Sequence, residues 1–165
     1  MDISRAVISQ TQAALEMLRQ AIDACPEALW HQHEKAAPFW QVAYHALYYT
    51  YRYLHRSDEV FTPWENHQED FHRLGTLPAG THGDDLTLRA YSKAELKNFL
   101  TQCRTKLLET MPQTDFKANS GFEWLPFDKL ELQLYNLRHL QQHIGELLER
   151  LSSQAGVELD WVTQG

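Results

Sequence analysis

Four stretches of the chain carry apolar residues at the helical interval. From Ile3 to Ala24, residues Ile3, Val7, Ala14, Met17, Leu18, Ala21 and Ile22 recur at steps of three and four, which predicts a helix with one buried face. Pro26 ends it. Residues 26–35 read as a solvated connector in which Trp30 is flanked by His31 and His33, followed by Glu34 and Lys35. The second helix begins near Pro38, which suits a first-turn position. Its sequence, FWQVAYHALYYTYRYLH, is apolar or aromatic nearly all round, the pattern of a buried helix.

From Ser57 to Ala90 no long period is visible, and Pro63, Gly75, Pro78, Gly80 and Gly83 punctuate the stretch. Trp64 to Leu74 has room for a short helix. His67, His72 and His82 read as exposed, with His67 or His72 as possible neighbours of a site. A connection this long in a compact domain is often a functional cover or crossover. Ser92 and Glu95 then form a capping box, and Leu96, Phe99, Leu100, Cys103, Leu107 and Met111 make the apolar stripe of a third helix that Pro112 stops. The fourth stretch runs from Asp128, a cap with Glu131 three residues on, to Arg150. Leu137, Leu140, Ile144, Leu147, Leu148 and Leu151 form its apolar arc. After Gly156 the tail VELDWVTQG offers Trp161 and Val162 for docking back. Four long helices and no strand predict an all-α four-helix bundle with a long loop between helices 2 and 3.

Composition narrows the function classes. A chain of 165 residues reads as one domain, and 43% hydrophobic with 22% charged residues is ordinary for a globular protein. A net charge of -7 argues against nucleic acid or an anionic membrane as partner. The run from Ala36 to Tyr51 lacks charged residues but is too short and too polar to span a bilayer. Residues 1–24 lack the basic start and apolar block of a signal peptide, so a reducing cytoplasm is the expected location. Cys25 and Cys103, in no metal-binding spacing, read as small buried hydrophobes.

The candidate chemistry is imidazole. On a helix His139 and His143 lie about 40° apart and one turn apart, so one face can offer both rings to one ion. Leu132, Glu146 and Arg150 share the same stripe. Taken alone, such a pair also reads as two histidines at the border of a core. His45 sits in the middle of the second helix, surrounded on a wheel by Val42, Tyr48, Tyr49 and Arg52. A buried imidazole needs a partner, either a tyrosine or carbonyl, or a metal. Bundles build metal sites from facing helices, and three neutral imidazoles with an open position would suit zinc or nickel, or iron or manganese. Glu146 reads as holder of an imidazole, as a general base, or as the ion-pair partner of Arg150. Tyr48, Tyr49 and Tyr135 could each donate a hydrogen bond toward an oxygen at the metal or simply pack. Glu146 and Tyr49 are the candidate catalytic residues. Asn136 and Arg138 either fix the helix or meet a substrate.

The combination of FWQVAYHALYYTYRYL, HQEDFHRLG and LYNLRHLQQHIGELLERL resembles the DinB/YfiT-like superfamily over essentially the whole domain. The resemblance implies a helical bundle with His45, His139 and His143 around a divalent metal, and a homodimer. It implies a small-molecule substrate, with a low-molecular-weight thiol in the transferases and isomerases of the family. Two functional expectations follow. One is a metal-dependent transferase or hydrolase. The other is a metal-binding or stress-associated bundle without turnover, and a bundle with no metal stands beside both. An open cavity beside the metal, roofed by the Ser57–Ala90 loop, would favour catalysis.

Overall fold

The computed structural model describes residues 2–32, 37–74 and 90–165. Helices are α1 (Ile3–Ala24), α2 (Glu27–Trp30), α3 (Phe39–Tyr53), α4 (Lys93–Thr110) and α5 (Lys129–Ala155), with single 3-10 turns at Asp58–Val60 and Met111–Gln113. No strand occurs among the described residues, and no described helix is long and apolar enough to cross a membrane. The four long helices are those the apolar periodicity predicts. α5 packs on α3 and α1, while α4 packs on the same two from the other side. The centre of the bundle is filled by Leu15, Leu18, Ile22, Trp40, Tyr44, Leu47, Phe99, Leu140, Ile144 and Leu147, all buried. Each such side chain withdrawn from water contributes about 1.5–3 kcal/mol before conformational entropy is counted.

Helix ends follow local chemistry. Asp2 caps α1 by accepting from the Arg5 N–H, and Asp128 caps α5 by accepting from Glu131 N–H at 2.9 Å. At α4 the Ser92–Glu95 capping box is complete. α3 starts at Phe39, with Pro38 just outside it at φ -54° and ψ 154°. α5 stops at Gly156, whose φ of 64° is left-handed.

Three local expectations are revised. Residues 26–35 are not a plain solvated loop: Pro26 opens the one-turn α2, and Trp30 is buried with its indole N–H donating to the Tyr91 carbonyl at 2.9 Å. His33 lies outside the described residues. Trp64 to Leu74 forms successive turns rather than a short helix, because Asp70 adopts φ 64° and breaks any helical run. Trp64 and Phe71 drop from these turns into the core, Trp64 stacking on Phe99 at 4.6 Å. His82 and the glycines at 75, 80 and 83 lie outside the described residues. In the tail, Val157, Leu159 and Val162 pack on the bundle and Gly165 N–H donates to the Ser9 carbonyl, but Trp161 is exposed.

Polar side chains tie α5 to the end of α3. Gln133 donates to the Tyr53 carbonyl at 3.0 Å and Asn136 to the Thr50 carbonyl at 3.3 Å. Lys129, nearly buried, donates to the carbonyls of Arg56 and Ser120. Beside it Gly121, at φ 86°, approaches the chain after α3 so closely that a Cβ would stand 2.3 Å from the Arg56 oxygen. Gly121→Ala should therefore destabilise the fold by about 2–4 kcal/mol through strain and collision, read as a lowered urea midpoint.

Glu16 joins α1 to α4 by accepting from Arg19 and Arg104, and these guanidiniums, Arg19 first, hold its carboxyl down to about 2. A depressed carboxylate contributes stability above its unfolded value of 4.5 and loses it as pH falls through about 2. Glu16→Gln should lower the melting temperature by about 1–4 °C at pH 7, as for a partly screened ion pair, with the difference shrinking to nothing near pH 2 in a thermal scan series.

Candidate metal centre

His45 projects from the middle of α3 toward α5, where His139 and His143 stand one turn apart. The ring centroids of His45 lie 5.0 Å from His139 and 4.5 Å from His143, and those two are 4.7 Å apart. Each ring offers one nitrogen such that all three fall within 4.8 Å of one another. His143 is buried, while His45 and His139 are half-buried. The sequence-predicted triad is thus brought together by the contact between α3 and α5.

The outward nitrogens decide which lone pairs face inward. His45 Nδ1 lies 2.6 Å from the His72 carbonyl, which can only accept, so Nδ1 carries the proton and Nε2 keeps its lone pair. His143 Nδ1 lies 3.3 Å from Glu146 Oε2, which fixes the same tautomer. His139 presents Nε2 to His45 Nε2 at 3.0 Å, and its Nδ1 is buried without a hydrogen-bond partner among the described residues. Two lone pairs at this distance repel unless a proton or a cation stands between them. Two imidazole nitrogens on one ion at ordinary zinc–nitrogen distances would be about 3.0–3.4 Å apart. The donor set fits a divalent metal ion.

Electrostatics favour the same state. Burial pushes His45 down to about 3, against the opposing pull of the His72 carbonyl, and the neighbouring histidines add to the depression. Burial, with His143 alongside, takes His139 down to about 4. Both rings are neutral at neutral pH, as ligation requires.

Glu146 combines two of its predicted roles. It accepts from His143 and also pairs with Arg150, whose other nitrogen donates to the Ala37 carbonyl at 2.7 Å. Hydrogen bonding from His143 chiefly, with help from Arg150, holds the carboxyl below its usual range. Tyr49 is half-buried, its ring 4.9 Å from His45 and 5.4 Å from His139. Tyr48 stacks flat on His72 at 4.3 Å, behind the triad. Tyr135 packs instead with Tyr53 and Phe127. Asn136 fixes α5 to α3, and Arg138 lines an outer groove of α5 with Leu134 and Tyr135.

The loop contributes what the sequence did not disclose, a main-chain acceptor at His72. His67 is bonded to the Tyr44 hydroxyl at 2.5 Å, so both loop histidines belong to the surroundings of the triad. Gln41, a polar residue four positions before His45 in a largely apolar helix, is a further signal that the sequence carries.

No curated protein and no solved structure matches the chain. The family model of the DinB superfamily matches residues 10–147, which contain all three histidines, the loop that supports them and Glu146. Bundle, triad and match agree, and the chain belongs to the DinB superfamily.

Proposed function

We propose that this protein is a metal-dependent enzyme acting on a small molecule, with His45, His139 and His143 as ligands. The observation that carries the reading is the convergence of three imidazoles, two of them oriented by separate acceptors. Zinc or nickel suits an all-imidazole set, with iron or manganese next. A divalent ion at this site would supply Lewis acidity toward an oxygen or sulfur of the substrate. Glu146 serves to hold His143 rather than to take a proton, because both its oxygens are engaged and its basicity is lowered. Tyr49, its ring 4.9 Å from that of His45, is the side chain assigned to orient a substrate oxygen.

Between the two reaction types, a thiol-dependent transferase is favoured over a hydrolase. Hydrolysis assisted by a general base would need a free carboxylate at the site, and Glu146 is committed to His143 and Arg150. The thiol would arrive with the substrate. Cys25 and Cys103 are buried, and burial raises both thiols, Cys25 to about 12, so neither supplies a thiolate. The engagement of Glu146 also favours a second reading, metal held without turnover. Screening the metal-loaded protein with low-molecular-weight thiols and electrophiles, then with esters and amides, separates the two.

Metal analysis of tag-free protein should find about one equivalent of metal in the wild type and none in the His139→Ala, His143→Ala double variant. Each single histidine-to-alanine change should weaken binding by more than about 100-fold, beyond the range for outer-shell partners. Stoichiometric metal in all three single variants would remove the site. Glu146→Gln should bind metal about tenfold more weakly in a competition titration, because the charge that steadies His143 is gone. Unchanged affinity with collapsed turnover would instead make Glu146 the proton acceptor.

A further inference from the structure

Gln41 and His45 are four residues apart on one face of α3, and both grip the same short strap of loop. The Gln41 side-chain amide donates to the Phe71 carbonyl at 3.4 Å and to the Arg73 carbonyl at 3.3 Å. His45 Nδ1 takes the His72 carbonyl between them. Three consecutive main-chain acceptors are therefore occupied by two side chains one helical turn apart. Gln41 is 3% exposed, and a buried amide in an apolar helix is costly unless its donors are satisfied. Both donations run to the strap.

The strap is anchored from its other side as well. Phe71 is fully buried, its ring 5.4 Å from that of Trp40. Asp70, at φ 64°, turns the chain into the strap, and the Arg73 N–H closes the turn on the Asp70 carbonyl at 2.9 Å. Upstream, Tyr91 hydroxyl donates to the Asn66 carbonyl and accepts from the Gln68 N–H. These contacts hold the strap on both sides of the His72 carbonyl, which faces His45.

We infer that Gln41 is a positioning residue for the metal centre: by holding the carbonyls on either side of His72, it aims the third at His45 Nδ1 and so keeps His45 Nε2 available as a ligand. The inference rests on the reading of His45, His139 and His143 as ligands. With the strap released, His45 loses its acceptor, its ring can rotate or change tautomer, and one of three ligands is no longer preset. Metal affinity is thus written partly in a loop that contributes no ligand of its own. By linkage, an ion bound to His45 steadies the strap by the same factor.

The experiment is a competition titration of zinc against a chromophoric chelator, using full-length wild type, Gln41→Met, Asp70→Val and Cys103→Ala. Isotope-edited histidine spectra of each metal-free protein accompany it. Gln41→Met keeps the length of the side chain without its donors. Asp70→Val disturbs the turn through a branched side chain in the left-handed region. Cys103→Ala loosens the core at a fully buried position on α4, without touching the strap, and controls for lost stability.

Zinc should bind about 10- to 100-fold more weakly to the first two variants and within about twofold of wild type to the control. The spectra should show His45 losing its fixed Nδ1–H form in both. Affinities within the control's range overturn the inference, and so does weakened binding with the His45 tautomer intact, since the effect would then not pass through His45. If Gln41→Met fails to fold, Gln41→Leu, which also lacks the amide donors, replaces it and is read against the same outcomes. If the wild type binds no zinc, the metal reading falls, and the His45 spectra still decide: an unchanged tautomer in both variants overturns the positioning role, and its loss upholds it.

Discussion

An imidazole packed between helices has two nitrogens to satisfy, and the centre of this bundle has three such rings. Placing the proton of His45 and of His143 on the outward side commits their inward nitrogens to being acceptors that face His139 and each other. Three inward nitrogens in so small a space make a poor hydrogen-bond network and a good ligand set. Much of the surrounding structure meets that constraint: a loop carbonyl on one side, a carboxylate–guanidinium pair on the other, and aromatic rings packed against the histidines.

The parts legible in the sequence are those governed by local period. The four long helices, the Ser92–Glu95 capping box and the Asp128 cap follow from spacing, and the i, i+4 relation of His139 and His143 follows from the helix they sit on. The placement of His45 opposite them needed the bundle as well. What escaped reading depends on contacts between residues far apart in the chain. The His72 carbonyl is anonymous in sequence, since every residue has one, and 27 residues separate it from His45. Residues 26–35 read as a solvated connector because their polar residues dominate, whereas Trp30 is buried and bonded to Tyr91, 61 residues away. Trp161 failed in the opposite sense: it is apolar, but the smaller Val157, Leu159 and Val162 of the tail occupy the contact with the bundle.

Glu146 shows how two readings that compete in sequence can coexist in space. On a helix, residue 146 is three from His143 and four from Arg150, both neighbouring positions on one face. The carboxylate has two oxygens and gives one to each. Arg150 then passes the tie to the Ala37 carbonyl, just before α3, so the orientation of a ring on α5 is referred back to the start of the helix that carries His45. The two helices that supply the imidazoles are bound to each other at both ends, by Arg150 near one and by Asn136 and Gln133 near the other.

That the acceptor for His45 is a main-chain carbonyl has a consequence for how the protein could be studied or changed. No side-chain substitution at position 72 can delete it. An alanine scan would report only the loss of the ring that stacks on Tyr48 and would leave the carbonyl in place. The contact belongs to the path of the backbone, so it is altered by turn-forming and loop-anchoring residues on either side, or by chemical synthesis that replaces the amide. Ligand geometry could for the same reason be retuned from the loop while His45, His139 and His143 stay as they are.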